Sequence, residues 1–216
     1  MKQAENIFEE EKTFAPLPPS FLLSEALEAG NRIIIDTDME SDDTRAIIEL
    51  FCSLKSMKAQ NPLLNIDIAF IVGFGNVTIR LQAVIHLVEC LKKDGIINYD
   101  IHINYFQGNY TNDSLYEEQI QKFVPKSTIQ STSTLIEYLE CNTDIGDLIF
   151  GIEKPITLLE CFKQDKNIFQ NSKLITYVGG FNYRAESPEL QSKVIEYISS
   201  FKSVLGISNF VALQKK

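Results

Sequence analysis

An alternation that begins at Arg32 and repeats along the chain constrains the fold more than any other feature. Short apolar runs are each followed by a segment whose apolar residues recur at helical spacing. Ile33 to Ile35 is the first run, and Ala46, Ile47, Leu50, Phe51 and Leu54 then share one helix face. Ile66 to Val72 is the second run, followed by "GFGN" and a helix with Leu81, Val84, Ile85, Val88 and Leu91 on one side. "YDIHINYF" reads as a third strand, with Ile101 and Ile103 alternating against polar neighbours. A polar loop with a short helix over Asn112 to Lys126 follows, then a helix over Thr134 to Leu139 and a brief strand over Asp147 to Phe150. Leu158 to Phe162 lies in another helix, and Leu174 to Val178 is a strand ending at Gly179-Gly180. Ser192 to Phe201 reads as helical, and Ser203 to Leu213 returns to the sheet. Strands alternating with helices imply an α/β fold in three layers, a mainly parallel central sheet flanked by helices.

The chain of 216 residues, 44% of them hydrophobic, suits one domain. That domain spans residues 31–216. Residues 1–30 read as an N-terminal extension: a polar and acidic start, "APLPPS" as a stiff connector, and a short helix over Phe21 to Ala29.

A net charge of -9 without a Lys/Arg cluster argues against a nucleic-acid partner. The first residues lack the basic and apolar regions of a signal peptide, and no apolar run reaches membrane-spanning length. Cys52, Cys90, Cys141 and Cys161 are far apart and form no C-x-x-C pair. Three fall in expected helices, so buried free thiols in a reducing, cytoplasmic setting are expected.

In parallel α/β sheets, ligands bind beyond the carboxyl ends of the strands. Here the first strand runs into Asp36-Thr37-Asp38 and then Asp42-Asp43. The second runs into Asn76, the fourth into "EKPIT", and the fifth into Gly179-Gly180-Phe181-Asn182. Five acidic side chains thus stand within the eight positions Asp36 to Asp43. Carboxylates brought together on one loop repel one another unless a proton or a cation joins them. Hard cations such as Ca²⁺ and Mg²⁺ take oxygen ligands. Helix capping is the plainer reading, with Ser41 or Asp42 as N-cap and acids favoured in the first turn. It leaves Asp36 and Asp38 unexplained. An EF-hand loop starting at Asp36 fails, because its Gly and Glu positions hold Ser41 and Ile47. A Mg²⁺-dependent phosphatase of the haloacid dehalogenase type also places D-x-D after an apolar strand. It would leave Asp42-Asp43 without a role, and Glu40 stands where that family has Thr or Val.

"DTDMESDD" resembles the D-[TC]-D-P-G-x-D-D signature of nucleoside hydrolases of the inosine–uridine-preferring family, with Met39-Glu40 in place of Pro-Gly. "GFGNVTIRLQAVIHLVECL", "EKPITLLECF" and "ITYVGGFN" resemble three further segments of that family in the same order. The resemblance implies a nucleoside-hydrolase-like fold and Ca²⁺-dependent hydrolysis of the N-glycosidic bond of ribonucleosides. Asp38 would ligate Ca²⁺ and act as general base, and Asp43 would be a bidentate ligand. Asp36 would support the loop and stand in the metal set, and Thr157 would offer its backbone carbonyl. Asp42 and Asn76 would contact the ribose. The partner would be a small-molecule nucleoside, and relatives commonly form dimers or tetramers, which allows a homo-oligomer.

The match is incomplete. Gln191 and Lys193 stand where the family has Glu and Asn, and the family's last calcium-ligating Asp has no counterpart before the chain stops at "SNFVALQKK". Asn182, Glu186 or Glu189 would have to substitute. Three expectations follow: a minimal hydrolase, a catalytically degenerate relative that binds a ribose-containing ligand or partner, or the N-terminal part of a longer product. The only histidines, His86 and His102, read as structural.

Overall fold

The computed structural model describes residues 32–98, 101–108, 122, 135–140, 147–152, 156–165, 168, 174–177 and 210–212. Their elements are β1 (Arg32–Asp36), α1 (Ser41–Gln60), β2 (Asp67–Val72), α2 (Val77–Lys93), β3 (His102–Gln107), α3 (Leu135–Glu140), β4 (Asp147–Gly151), α4 (Ile156–Gln164), β5 (Leu174–Tyr177) and β6 (Phe210–Ala212). The strands form one sheet in the order β3-β2-β1-β4-β5-β6. Each neighbouring pair is parallel, with Arg32 opposite both Asp67 and Asp147. The chain therefore moves outward from β1 to β3, then crosses to the far side of β1 and moves outward again. The order reverses between β1 and β4, which in doubly wound sheets opens a crevice at the carboxyl ends of those two strands.

Both faces of the sheet are covered. Successive strand residues point to opposite sides. Ile33, Ile35, Ile68, Phe70, Val72 and Leu148 pack with Ile47, Phe51 and Leu54 of α1 and Val77, Leu81, Val84, Val88 and Leu91 of α2. Ile34, Ala69, Ile71, Phe106 and Ile149 pack on the other side with Tyr138 and Leu139 of α3 and Leu158 and Cys161 of α4. Because β1 and β2 are buried on both faces, they read as unbroken apolar runs. Phe70 stacks between Phe51 and Tyr105, with ring centroids 6.2 and 6.1 Å away.

Helix ends follow local chemistry. Asn76 caps α2, its Oδ1 accepting from the Ile79 amide at 3.2 Å. The helix stops at Gly95, whose φ of 67° is the left-handed conformation that glycine adopts freely. Arg32 ties α3 to the sheet. It is 1% exposed, donates to the Tyr138 and Leu139 carbonyls at 2.7 and 3.3 Å, and lies 4.7 Å from the centre of the Tyr138 ring. The Tyr138 hydroxyl donates in turn to Asp67 at 2.8 Å.

The element boundaries expected from periodicity agree with the described ones to within a few residues, and Ser203 to Leu213 does return to the sheet through β6. The extension over residues 1–30, the loop over Asn112 to Lys126 (Lys122 excepted) and the helix over Ser192 to Phe201 lie outside the described residues. Two expectations are corrected. The N-cap of α1 is Glu40, with no side-chain capping bond, and Ser41 is the first helical residue. Cys161 is a buried free thiol, but Cys52 and Cys90 are exposed, because they fall off the apolar stripes of α1 and α2. Among the described residues no helix is long and apolar enough to cross a membrane.

Candidate functional site

The acidic loop leaves β1 at the strand-order reversal. Asp36, fully buried, shares its side of the sheet with Ile34, the side covered by α3 and α4. Its carboxylate is close enough to Cys161 of α4 to reinforce the effect of burial, which pushes that thiol up to about 12. Its carbonyl accepts from the Ile152 amide at 2.9 Å, joining the exits of β1 and β4.

Thr37 faces the opposite side, toward α1. Its hydroxyl donates to Asp43 Oδ2 at 2.6 Å, and the same carboxylate oxygen accepts from the amides of Asp38 and Met39, each at 3.1 Å. The Met39 amide also donates to Thr37 Oγ1 at 2.9 Å. Met39 has φ 57°, an uncommon conformation for a side chain of its size. Asp43, in the first turn of α1, thus reaches back to hold two loop amides. Asp43 is 4% exposed. Burial pushes its carboxyl up to about 8; the Thr37 bond opposes this, and the charges of Asp38 and Asp42 add to it. Such a group takes either a proton or a nearby cation at neutral pH.

Asp38 is half-buried in the same loop. Arg80 of α2 donates through Nη1 to the Asp38 carbonyl at 2.5 Å, and the same nitrogen is 3.6 Å from Asp38 Oδ2. Arg80 is 3% exposed. Its guanidinium fills the space beside Gly75 that a Cβ would occupy, and Gly75 has φ 77°. The loops after β1 and β2 are therefore locked together by one buried arginine.

Thr157 stands in the first turn of α4 and is 7% exposed. Its hydroxyl packs against Gly108, whose amide donates to the Val72 carbonyl at 2.8 Å, and Oγ1 has no hydrogen-bond partner among the described residues. Asp42 and Glu40 are exposed. Asn182 lies outside the described residues, as do Gly179-Gly180, Glu186, Glu189, Gln191 and Lys193.

Of the expected site residues, the fold gathers Asp38 and Asp43 into one hydrogen-bonded loop with Thr37. It places Asp36 and Thr157 on the other face of the sheet and uses the Asn76 oxygen as a helix cap. Among the described residues, no group of three His, Cys, Asp or Glu side chains is arranged to hold a metal ion. Sequence reading missed Arg80. Its signal was a charged residue on the stripe of Val77, Leu81, Val84 and Val88, one turn after the second strand's loop. His102 begins β3, at the far end of the sheet from this loop, with Nδ1 3.3 Å from Asp67 Oδ1.

No protein-family model matches the chain, and no curated protein matches it. Among solved structures it is similar to Saccharomyces cerevisiae RIF2, with 16% identity over 85% of this chain and 69% of that one. The TM-score of 0.18 is too low to bear on fold or function.

Proposed function

We propose that the chain is a nucleoside-hydrolase-like protein of three layers that cleaves the N-glycosidic bond of ribonucleosides with Ca²⁺. One observation carries the reading: the loop bearing Asp36, Asp38 and Asp43 leaves the sheet at its order reversal, where doubly wound folds take their ligands. The donor types are those a hard cation takes, although among the described residues the fold brings only Asp38 and Asp43 together. Asp36, Asp38, Asp43 and Thr157 offer oxygen alone, and the raised Asp43 carboxyl is what an unneutralised acid in such a place should show. Asp38 and Asp43, the two that share one loop, would hold such an ion, and it would supply positive charge to orient the ribose diol and ease deprotonation of water.

In this reading Asp38 takes the proton of the attacking water as its oxygen bonds to the anomeric carbon. The base leaves with the electron pair of the broken carbon–nitrogen bond. Asp42, exposed on the first turn of α1, hydrogen-bonds a ribose hydroxyl, Asn76 at the exit of β2 contributes a second contact, and the sequence assigns Asn182 to the ribose as well. Free thiols among the described cysteines suit a cytoplasmic setting, and a homo-oligomer accords with the family resemblance.

A second reading is favoured by Arg80. A protein cation already stands 3.6 Å from Asp38 Oδ2, so the loop has a counter-charge of its own. On that basis the chain binds a ribose-containing ligand without turning it over. Calorimetric titration with Ca²⁺ and with inosine or uridine separates the two. The hydrolase reading expects Ca²⁺ binding that Asp38→Ala weakens and nucleoside turnover that needs Ca²⁺. Nucleoside binding with neither favours the second reading, and no binding of nucleoside or metal removes both.

A further inference from the structure

We infer that Arg80 is a positioning residue for Asp38, setting the β1–α1 loop so that this carboxylate is presented at the crevice. The inference rests on the hydrolase reading, in which Asp38 is the general base, and on three features of the fold. First, the Asp38–Met39 peptide is gripped from both sides. Arg80 Nη1 donates to its carbonyl at 2.5 Å, while Thr37 Oγ1 and Asp43 Oδ2 accept from its amide. That grip holds the left-handed Met39, a conformation disfavoured for a residue with a Cβ. Second, the guanidinium also reaches the Asp38 carboxylate, so one planar group controls both the backbone and the side chain of the residue. Third, the space for it is made by Gly75, where any Cβ would overlap the guanidinium. A buried arginine on an apolar stripe of α2 is expensive unless its donors are used, and here they are directed at the acidic loop.

A purely structural role would lower stability and leave turnover by folded molecules unchanged. A positioning role alters turnover itself. Ribose release by the full chain with Ca²⁺ and inosine should be compared for wild type, Arg80→Ala, Arg80→Lys and Gly75→Ala. Hydrogen exchange of the amides from Thr37 to Thr44 and thermal unfolding should be recorded on the same samples. Arg80→Ala should lower kcat about 10- to 100-fold, the range for losing a hydrogen bond to a charged group, with KM little changed. Added guanidinium ion should restore part of the rate. Arg80→Lys should lose less than Arg80→Ala, and Gly75→Ala, which displaces the guanidinium without removing it, should reproduce the loss. Exchange should accelerate in the loop and not in β2.

Folded Arg80→Ala or Gly75→Ala protein with wild-type kcat overturns the inference. If wild type releases no ribose, the hydrolase reading fails on its own account. Loop exchange is then the readout, and protection that survives both substitutions overturns the assignment of Arg80.

Discussion

Replacing Asp43 with asparagine should stabilise the protein more at pH 8 than at pH 5. The folded carboxyl titrates at about 8 against 3.8 for the free side chain. Between those values the folded chain holds a proton that the unfolded chain has released. Stability contributed by this group is therefore complete below pH 4 and declines as pH rises toward 8. The limiting slope is about 1.4 kcal/mol per pH unit, so the ceiling between pH 5 and pH 8 is about 4 kcal/mol. Relaxation of the loop around the charge should reduce this to about 2 kcal/mol. Asparagine keeps an oxygen for the Thr37 hydroxyl and for the Asp38 and Met39 amides, and it never ionises. The chain has no tryptophan, so urea unfolding is best followed by far-ultraviolet circular dichroism. The difference between the two proteins, measured at pH 5 and pH 8 in EDTA, cancels the other carboxylates. Curves that stay parallel, or a variant less stable at pH 8, would show that Asp43 is ionised and satisfied in the fold, and the electrostatic account of the loop would be refuted. With Ca²⁺ added, a metal-holding loop keeps Asp43 ionised, and the wild-type decline should flatten.

Other consequences concern the framework of the site. Phe70→Ala removes a fully buried ring from between Phe51 and Tyr105 and should cost about 3–5 kcal/mol in denaturant unfolding. Gly108→Ala should destabilise by about 1–3 kcal/mol, because its Cβ would meet the Thr157 hydroxyl and approach Gly73 Cα to 2.8 Å; pairing it with Thr157→Ala should recover part of the loss. Tyr138→Phe, which deletes the 2.8 Å bond to Asp67, should lower stability by about 1 kcal/mol and leave any nucleoside binding intact, since that network lies at the opposite end of the sheet.

Much of the sheet was legible because β1, β2 and β4 are short apolar runs and α1 and α2 carry their apolar residues at helical spacing. Those patterns depend on local sequence alone. The acidic loop was legible for the same reason: Asp36 to Asp43 is contiguous. Its internal wiring was not. That Asp43 turns inward to hold two amides goes with the left-handed turn at Met39, which has no glycine to announce it. Arg80 reaches Asp38 across 42 residues, and Arg32 reaches Tyr138 across 106. Contacts of that kind arise only when parallel pairing brings distant segments together. The single local clue to each was a charge adjoining apolar neighbours, Arg32 before three isoleucines and Arg80 between Ile79 and Leu81.

Ribose release is the most direct test of the central claim. The chain should be incubated with inosine, uridine or nicotinamide riboside in Ca²⁺ or in EDTA, beside Asp38→Ala in Ca²⁺. The hydrolase reading predicts release from at least one nucleoside by wild type in Ca²⁺, with little in EDTA or from the variant. No release from any of the three in Ca²⁺, by protein shown to be folded, would contradict it.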